Sequence, residues 1–135
     1  MNINTIENEI IAQLQSDITD LKIEGFPDNP AQYKLIHPKG AILVHFLDAN
    51  YNKPEENIFI QQAVNLEFAL TLIIKGLRDK NGAYSYIESV ISSLTGFNPT
   101  DCGKIYPVKV EFLREDNGIW QYTFTFSVPT ENYNN

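Results

Sequence analysis

The sequence predicts an α+β fold, an antiparallel β-sheet of mixed-length strands with two main helices packed on one face, and three observations carry that expectation. Apolar residues fall on alternate positions through Ile58, Ile60, Val64, Leu66, Phe68, Leu70, Leu72 and Ile74, the period of a strand with one buried face. Two other segments, near the N-terminus and after Asn81-Gly82, repeat apolar residues at helical spacing. Two more alternating segments close the chain around Asp116-Asn117-Gly118. Helices and strands that are segregated in this way favour an antiparallel sheet with helices over one face.

Taken in order, Ile6, Ile10, Ile11 and Leu14 form one face of a helix from Asn4 to about Gln15, and Asn4 followed by Glu7 has the form of a capping box. Ile18, Leu21 and Ile23 either extend that helix or begin a strand, before Gly25, Pro27 and Pro30 mark residues 25–40 as mostly loop. Ala41 to Leu47 is apolar on both alternating faces, as an internal strand requires, and Asp48-Ala49-Asn50 with Asn52-Lys53-Pro54 reads as a polar loop. The alternation from Ile58 to Ile74 outruns an ordinary strand of about 5 to 6 residues, so a bend is expected near Gln61 to Ala63, where Gln62 breaks the pattern. Tyr84, Ile87, Val90, Ile91 and Leu94 make the stripe of a second helix that stops at Gly96. Tyr106, Val108, Val110 and Phe112 then pair with Trp120, Tyr122, Phe124, Phe126 and Val128 in a hairpin whose turn residues tolerate positive φ. Residues 1–128 are expected to form a single domain, and the polar stretch 129–135 a flexible C-terminal tail.

Composition narrows the function. The 135 residues are 43% hydrophobic and 20% charged, the profile of one ordinary globular domain. A net charge of −7 opposes binding to a phosphate backbone, so sequence-specific nucleic acid is not an expected partner. Glu7 and Glu9 interrupt any signal-peptide core, and the longest apolar stretch, Ala69 to Ile74, is far short of the roughly 20 residues that span a bilayer. The single Cys102 forms no intrachain disulfide, which suits a reducing compartment.

A catalytic set is not legible either. His37 precedes Pro38 and reads as a surface residue; His45, beside Leu43 and Leu47, reads as a core or interface histidine, with Asp48 directed to the opposite face if the strand continues. Cys102 lacks a cationic cluster that would activate it, and no metal-ligand or phosphate-cradling motif occurs. The pairs Glu55-Glu56 and Glu115-Asp116 read as solvated surface. No catalytic residue, metal or cofactor is expected, and the chain is not expected to be an enzyme. Most aromatic residues are explained as core, with Trp120 the best interface candidate.

Three features occur in fixed order: the helix Ile6-Glu7-Asn8-Glu9-Ile10-Ile11-Ala12-Gln13-Leu14, the turn and helix from Asn81-Gly82-Ala83-Tyr84 to Leu94-Thr95-Gly96-Phe97, and the closing strand Trp120-Gln121-Tyr122-Thr123-Phe124-Thr125-Phe126. Together they resemble the small tail protein family of Mu-like prophages, the gene 37 product family, and the element order is similar to tail terminator proteins of contractile phage tails. The resemblance covers the chain up to Val128. It implies a structural part of a phage tail or contractile injection system, a hexameric ring that caps tube and sheath and stops their polymerisation. Implied partners are the chain itself, tail tube and sheath proteins, and a head-completion or cap protein. The implied location is the bacterial cytoplasm during assembly, then the virion tail or injection particle. For the subunit interface we expect Trp120 and Tyr122 on the closing strand, with Phe59, Gln61 and Glu67 along the long strand. The alternatives are a baseplate or chaperone-like tail component, and a small ligand-binding module or enzyme in which His45, Asp48 and the aromatic residues surround a pocket.

Overall fold

The computed structural model describes residues 2–29, 39–54, 59–79 and 81–134. Its elements run α1 (Ile3–Asp17), β1 (Lys22–Gly25), β2 (Gly40–Tyr51), β3 (Ile60–Lys75), α2 (Ala83–Leu94), β4 (Tyr106–Asp116) and β5 (Ile119–Asn134). Among the described residues the strands form one five-stranded sheet in the order β1-β2-β3-β5-β4. The α+β class stands, but the sheet is mixed: β2, β3, β5 and β4 pair antiparallel, while β1 lies parallel to β2 along Lys22–Gly25. The stretch between Gly25 and Gly40 is long enough for the crossover that parallel neighbours need.

The even positions of β3 carry the core. Val64 through Ile74 on that face pack with Ile6, Ile10 and Leu14 of α1, Tyr86, Val90 and Leu94 of α2, and Phe124, Phe126 and Val128 of β5. Both helices therefore cover one face, where their apolar stripes meet the alternating stripe of the strands. On the opposite face Ala41, Leu43, Ala69 and Ile73 are also buried, which is why β2 reads as apolar on both sides.

Four expectations need correction. The cap of α1 is Asn2, which has extended backbone and accepts from the Thr5 amide at 3.0 Å; Asn4 lies inside the helix, so Asn4 and Glu7 form no capping box. The supposed loop Asp48-Ala49-Asn50 belongs to β2, because the long β3 offers main-chain partners up to Val64 and a bulge at Leu47 restores the register. β3 itself keeps an unbroken register against β5 from Ile60 to Lys75, with no irregularity near Gln61 to Ala63. The tail expected to fray continues β5, with Thr130 opposite Val64 and Asn134 opposite Ile60. Thr130 is buried and donates its hydroxyl to the Asp101 carbonyl at 3.2 Å, and Asn132 donates to Gln62 Oε1 at 2.9 Å. Polar side chains hide this strand because its stabilisation is main-chain pairing.

The open choice for residues 18–23 resolves into a helix ending at Asp17 and the short strand that holds Ile23. The hairpin turn is as expected, with Asn117 and Gly118 both at positive φ, 52° and 80°. His37, Glu55, Glu56 and Ile58 lie outside the described residues.

Candidate interaction surface

The bulge at Leu47 changes what the polar residues of β2 do. It shifts the strand by one residue, so His45 and Asp48 pair with Ala69 and Glu67 and share one face, contrary to the expected opposition. His45 Nδ1 is buried without a hydrogen-bond partner, the Phe26 ring packs edge-on at 5.3 Å, and burial pulls the imidazole pKa down, which keeps it neutral at pH 7. Asp48 is engaged instead with Glu67, whose pKa is pushed up first by burial and then by the hydrogen-bonded Asp48 carboxylate. Cys102 donates to the Thr100 carbonyl at 3.4 Å, and burial pushes its thiol pKa up, opposite to what a nucleophile needs. Among the described residues no group of His, Cys, Asp and Glu is placed to hold a metal ion, and no helix is long and apolar enough to cross a membrane.

Other polar contacts join elements. Ser93 donates to Asp17 at 2.7 Å and Gln13 to the Ser93 carbonyl at 3.0 Å, tying α1 to α2 beside an open polar hollow lined by Ser85, Glu88, Ser89 and Ser92. Tyr86 donates to Asp20 at 2.6 Å, and Lys39 reaches the same oxygen at 3.2 Å. Glu9 accepts from the amide and hydroxyl of Thr100 at 2.8 and 2.6 Å, fixing the loop after α2 to the first helix.

The five residues expected at a subunit interface do not come together. Trp120 and Tyr122 sit half-buried on the helix side of β5, with the Phe112 ring 5.9 and 5.7 Å away. Phe59 and Gln61 are exposed at the opposite end of the sheet, where Gln61 pairs with Tyr133. Glu67 lies between the ends on the other face, opposite Asp48. The main chains of β3 from Val64 to Ile74 and of β5 from Ile119 to Ser127 are paired on both sides, so over those residues the two strands expected to carry the interface are the centre of the sheet.

The surface that sequence reasoning missed is β4. Every residue from Tyr106 to Asp116 is exposed, although the strand is the edge of the sheet and carries Val108, Val110, Phe112 and Leu113. Bulges at Val108 and Leu113 set its phase: Val110 and Phe112 lie on the helix side, and Lys109, Glu111, Arg114 and Asp116 lie on the other face. Ion pairs within the strand agree, Lys109–Glu111 at 3.1 Å and Arg114–Asp116 at 4.0 Å. The charges give only part of the signal: Lys109 and Glu111 alternate with apolar residues, but Arg114, Glu115 and Asp116 are charged in succession, so the shift of phase at Leu113 shows only in the pairing with β5. Phe112, Trp120, Tyr122 and Tyr84, with Arg78 stacked 5.9 Å over the Tyr84 ring, make one end of the sheet aromatic; Tyr51, Phe59, Ile60 and Tyr133 are exposed at the other.

A family model described as "Gp37 protein" matches residues 10–134. No curated protein matches the sequence significantly. Among solved structures, a chain of one titled "Virion of native gene transfer agent (GTA) particle" is similar, with a TM-score of 0.62, 9% identity, and 96% of each chain covered. At that identity the likeness is one of fold.

Proposed function

The chain belongs to the Gp37 protein family, and from that premise we propose that it is a structural component of a phage-like particle, a tail terminator that caps tube and sheath and stops their growth. The observation that carries this reading is the likeness along 96% of both chains to a chain of a gene transfer agent virion. A neutral His45 whose Nδ1 has no hydrogen-bond partner among the described residues, a protonated Cys102 and an Asp48 engaged with Glu67 support a role without catalysis.

A terminator acts by geometry. A closed ring repeats one contact between two different patches, so each subunit must carry both halves of it. The two apolar ends of the sheet fit that requirement: Tyr84, Phe112, Trp120 and Tyr122 at one, Phe59, Ile60 and Tyr133 at the other. Joined end to end, six copies would present a ring whose one rim binds the last tube or sheath ring and whose other rim meets a head-completion or cap protein. Assembly takes place in the bacterial cytoplasm, and the protein stays in the finished tail or injection particle.

Light scattering of the purified chain over a range of concentrations, with electron microscopy of the same sample, tests this. A ring of six that arrests elongation of purified tube protein is the expected result. A chain that forms no ring alone or on tube ends, and leaves tube length unchanged, would overturn it.

A further inference from the structure

We propose that β4 is a self-recognition edge, pairing antiparallel with β4 of a second copy of this chain about a two-fold axis, with Lys109 opposite Asp116 and Glu111 opposite Arg114. One side of β4 is hydrogen-bonded to β5; among the described residues, no main-chain bond from Tyr106–Asp116 leads anywhere else. An edge this long, exposed on both faces and carrying Phe112 and Leu113, is a template for another strand.

Charge identifies that strand. Against β5, Lys109, Glu111, Arg114 and Asp116 stand opposite Thr125, Thr123, Gln121 and Ile119, all on one face. Residues directly opposite in an antiparallel pair share a face, so a second β4 brought alongside places these four against their own counterparts. In the register that sets Lys109 against Asp116, Glu111 falls against Arg114, and the two-fold repeats both contacts. All four charges then meet an opposite charge. Registers two residues either way set Lys109 against Arg114, or Glu111 against Asp116, and are repulsive. The bulge at Leu113 is what makes the match possible, because without it Arg114 would project to the helix side, away from Glu111.

The partners exchanged cost little. Lys109–Glu111 and Arg114–Asp116 are exposed ion pairs that water and salt already weaken. Pairing also covers Phe112 and Leu113 at the centre of the contact. With the axis perpendicular to the sheet, the two sheets become one, with both helix layers on the same side. A two-fold contact uses one patch twice and closes no ring, so it is a contact distinct from the terminator's, although it shares Phe112 with the aromatic end, and it leaves the Tyr133 end of each sheet uncovered.

Two full-length variants test the contact: Lys109→Glu with Arg114→Glu, which makes all four charges of that face acidic, and Glu111→Lys with Asp116→Lys, which makes all four basic. Sedimentation of the wild-type chain should show a concentration-dependent pair. Each variant alone should associate at least tenfold more weakly, and an equimolar mixture should recover a one-to-one pair. In parallel, amide exchange at Val108–Leu113 of the wild type should slow as concentration rises, a readout that survives if either variant fails to fold. Association unchanged in the folded variants, a mixture no tighter than its components, or exchange at those amides independent of concentration would overturn the proposal. A ring with freely exchanging β4 amides would reject this contact alone; pairs without rings would reject the terminator reading alone.

Discussion

At the scale of single residues, the polar contacts hold elements in place. Tyr86 is buried in α2, and its hydroxyl donates to Asp20 at 2.6 Å in the segment after α1. That bond is the main cause of the lowered Asp20 pKa, opposed by burial and helped by Lys39, while burial first, and then the Asp20 carboxylate, pushes Tyr86 up to about 12. A depressed carboxylate pKa adds stability that is present above the unfolded value, about 3.9, and is lost as pH falls through the folded one. Tyr86→Phe should therefore cost about 1 kcal/mol at pH 7, less than the roughly 1.5 to 3 kcal/mol of a buried hydrogen bond to a charged group, because Asp20 is partly open to water. Urea unfolding at pH 7 and again below the Asp20 pKa checks it, since the gap between the two proteins should narrow in acid. None of this was legible in sequence, where Tyr86 and Asp20 are distant and Tyr86 falls outside the counted apolar stripe. The same holds for His45 and Asp48, whose shared face depends on one bulged residue that no alternation pattern reveals.

At the scale of elements, apolar patterning found the core strands and helices, but it does not say which strand stands at the edge. Phe112 and Phe124 occupy equivalent places in the two alternating segments of the hairpin, yet Phe124 is 0% exposed and Phe112 is 53%. Phe124→Ala should cost about 3 to 5 kcal/mol through the cavity it leaves, while Phe112→Ala should cost under about 1 kcal/mol; thermal melts of the two variants separate them directly. The hairpin turn was legible because Asn117-Gly118 is one of few dipeptides that sustain positive φ at both positions. The end of β5 was not, because Thr130, Glu131 and Asn132 carry no apolar signal and are held by main-chain bonds to β3. Deleting residues 130–135 should remove those bonds, destabilise the chain by on the order of 2 kcal/mol, and speed amide exchange at Ile60 to Val64 without affecting β2 above the bulge.

At the scale of the whole molecule, the sheet separates a buried middle from two exposed apolar ends along its strands. The middle of β3 and β5 is buried under both helices, while the two ends carry exposed aromatic and aliphatic side chains. The net charge of −7 keeps such apolar ends from collapsing indiscriminately and gives a ring built from this chain no attraction for DNA passing through it. The ends differ in how tightly they are tied to the core. Trp120 is half-buried and packs against the core cluster, so Trp120→Glu disturbs folding and contact together and does not isolate the interface. Tyr133 is 65% exposed and stands opposite Gln61, one pair from the end of the ladder, so its side chain is open to a neighbour. If the ends join in a ring, Tyr133→Asp should abolish the ring in electron micrographs and lower the mass in light scattering, with a melting temperature within about 2 °C of wild type. Trp120→Glu should lower both mass and melting temperature. A Tyr133→Asp protein that still forms rings would place the contact elsewhere, on the helix layer or on the stretch of β2 beyond Val44 that β1 does not reach.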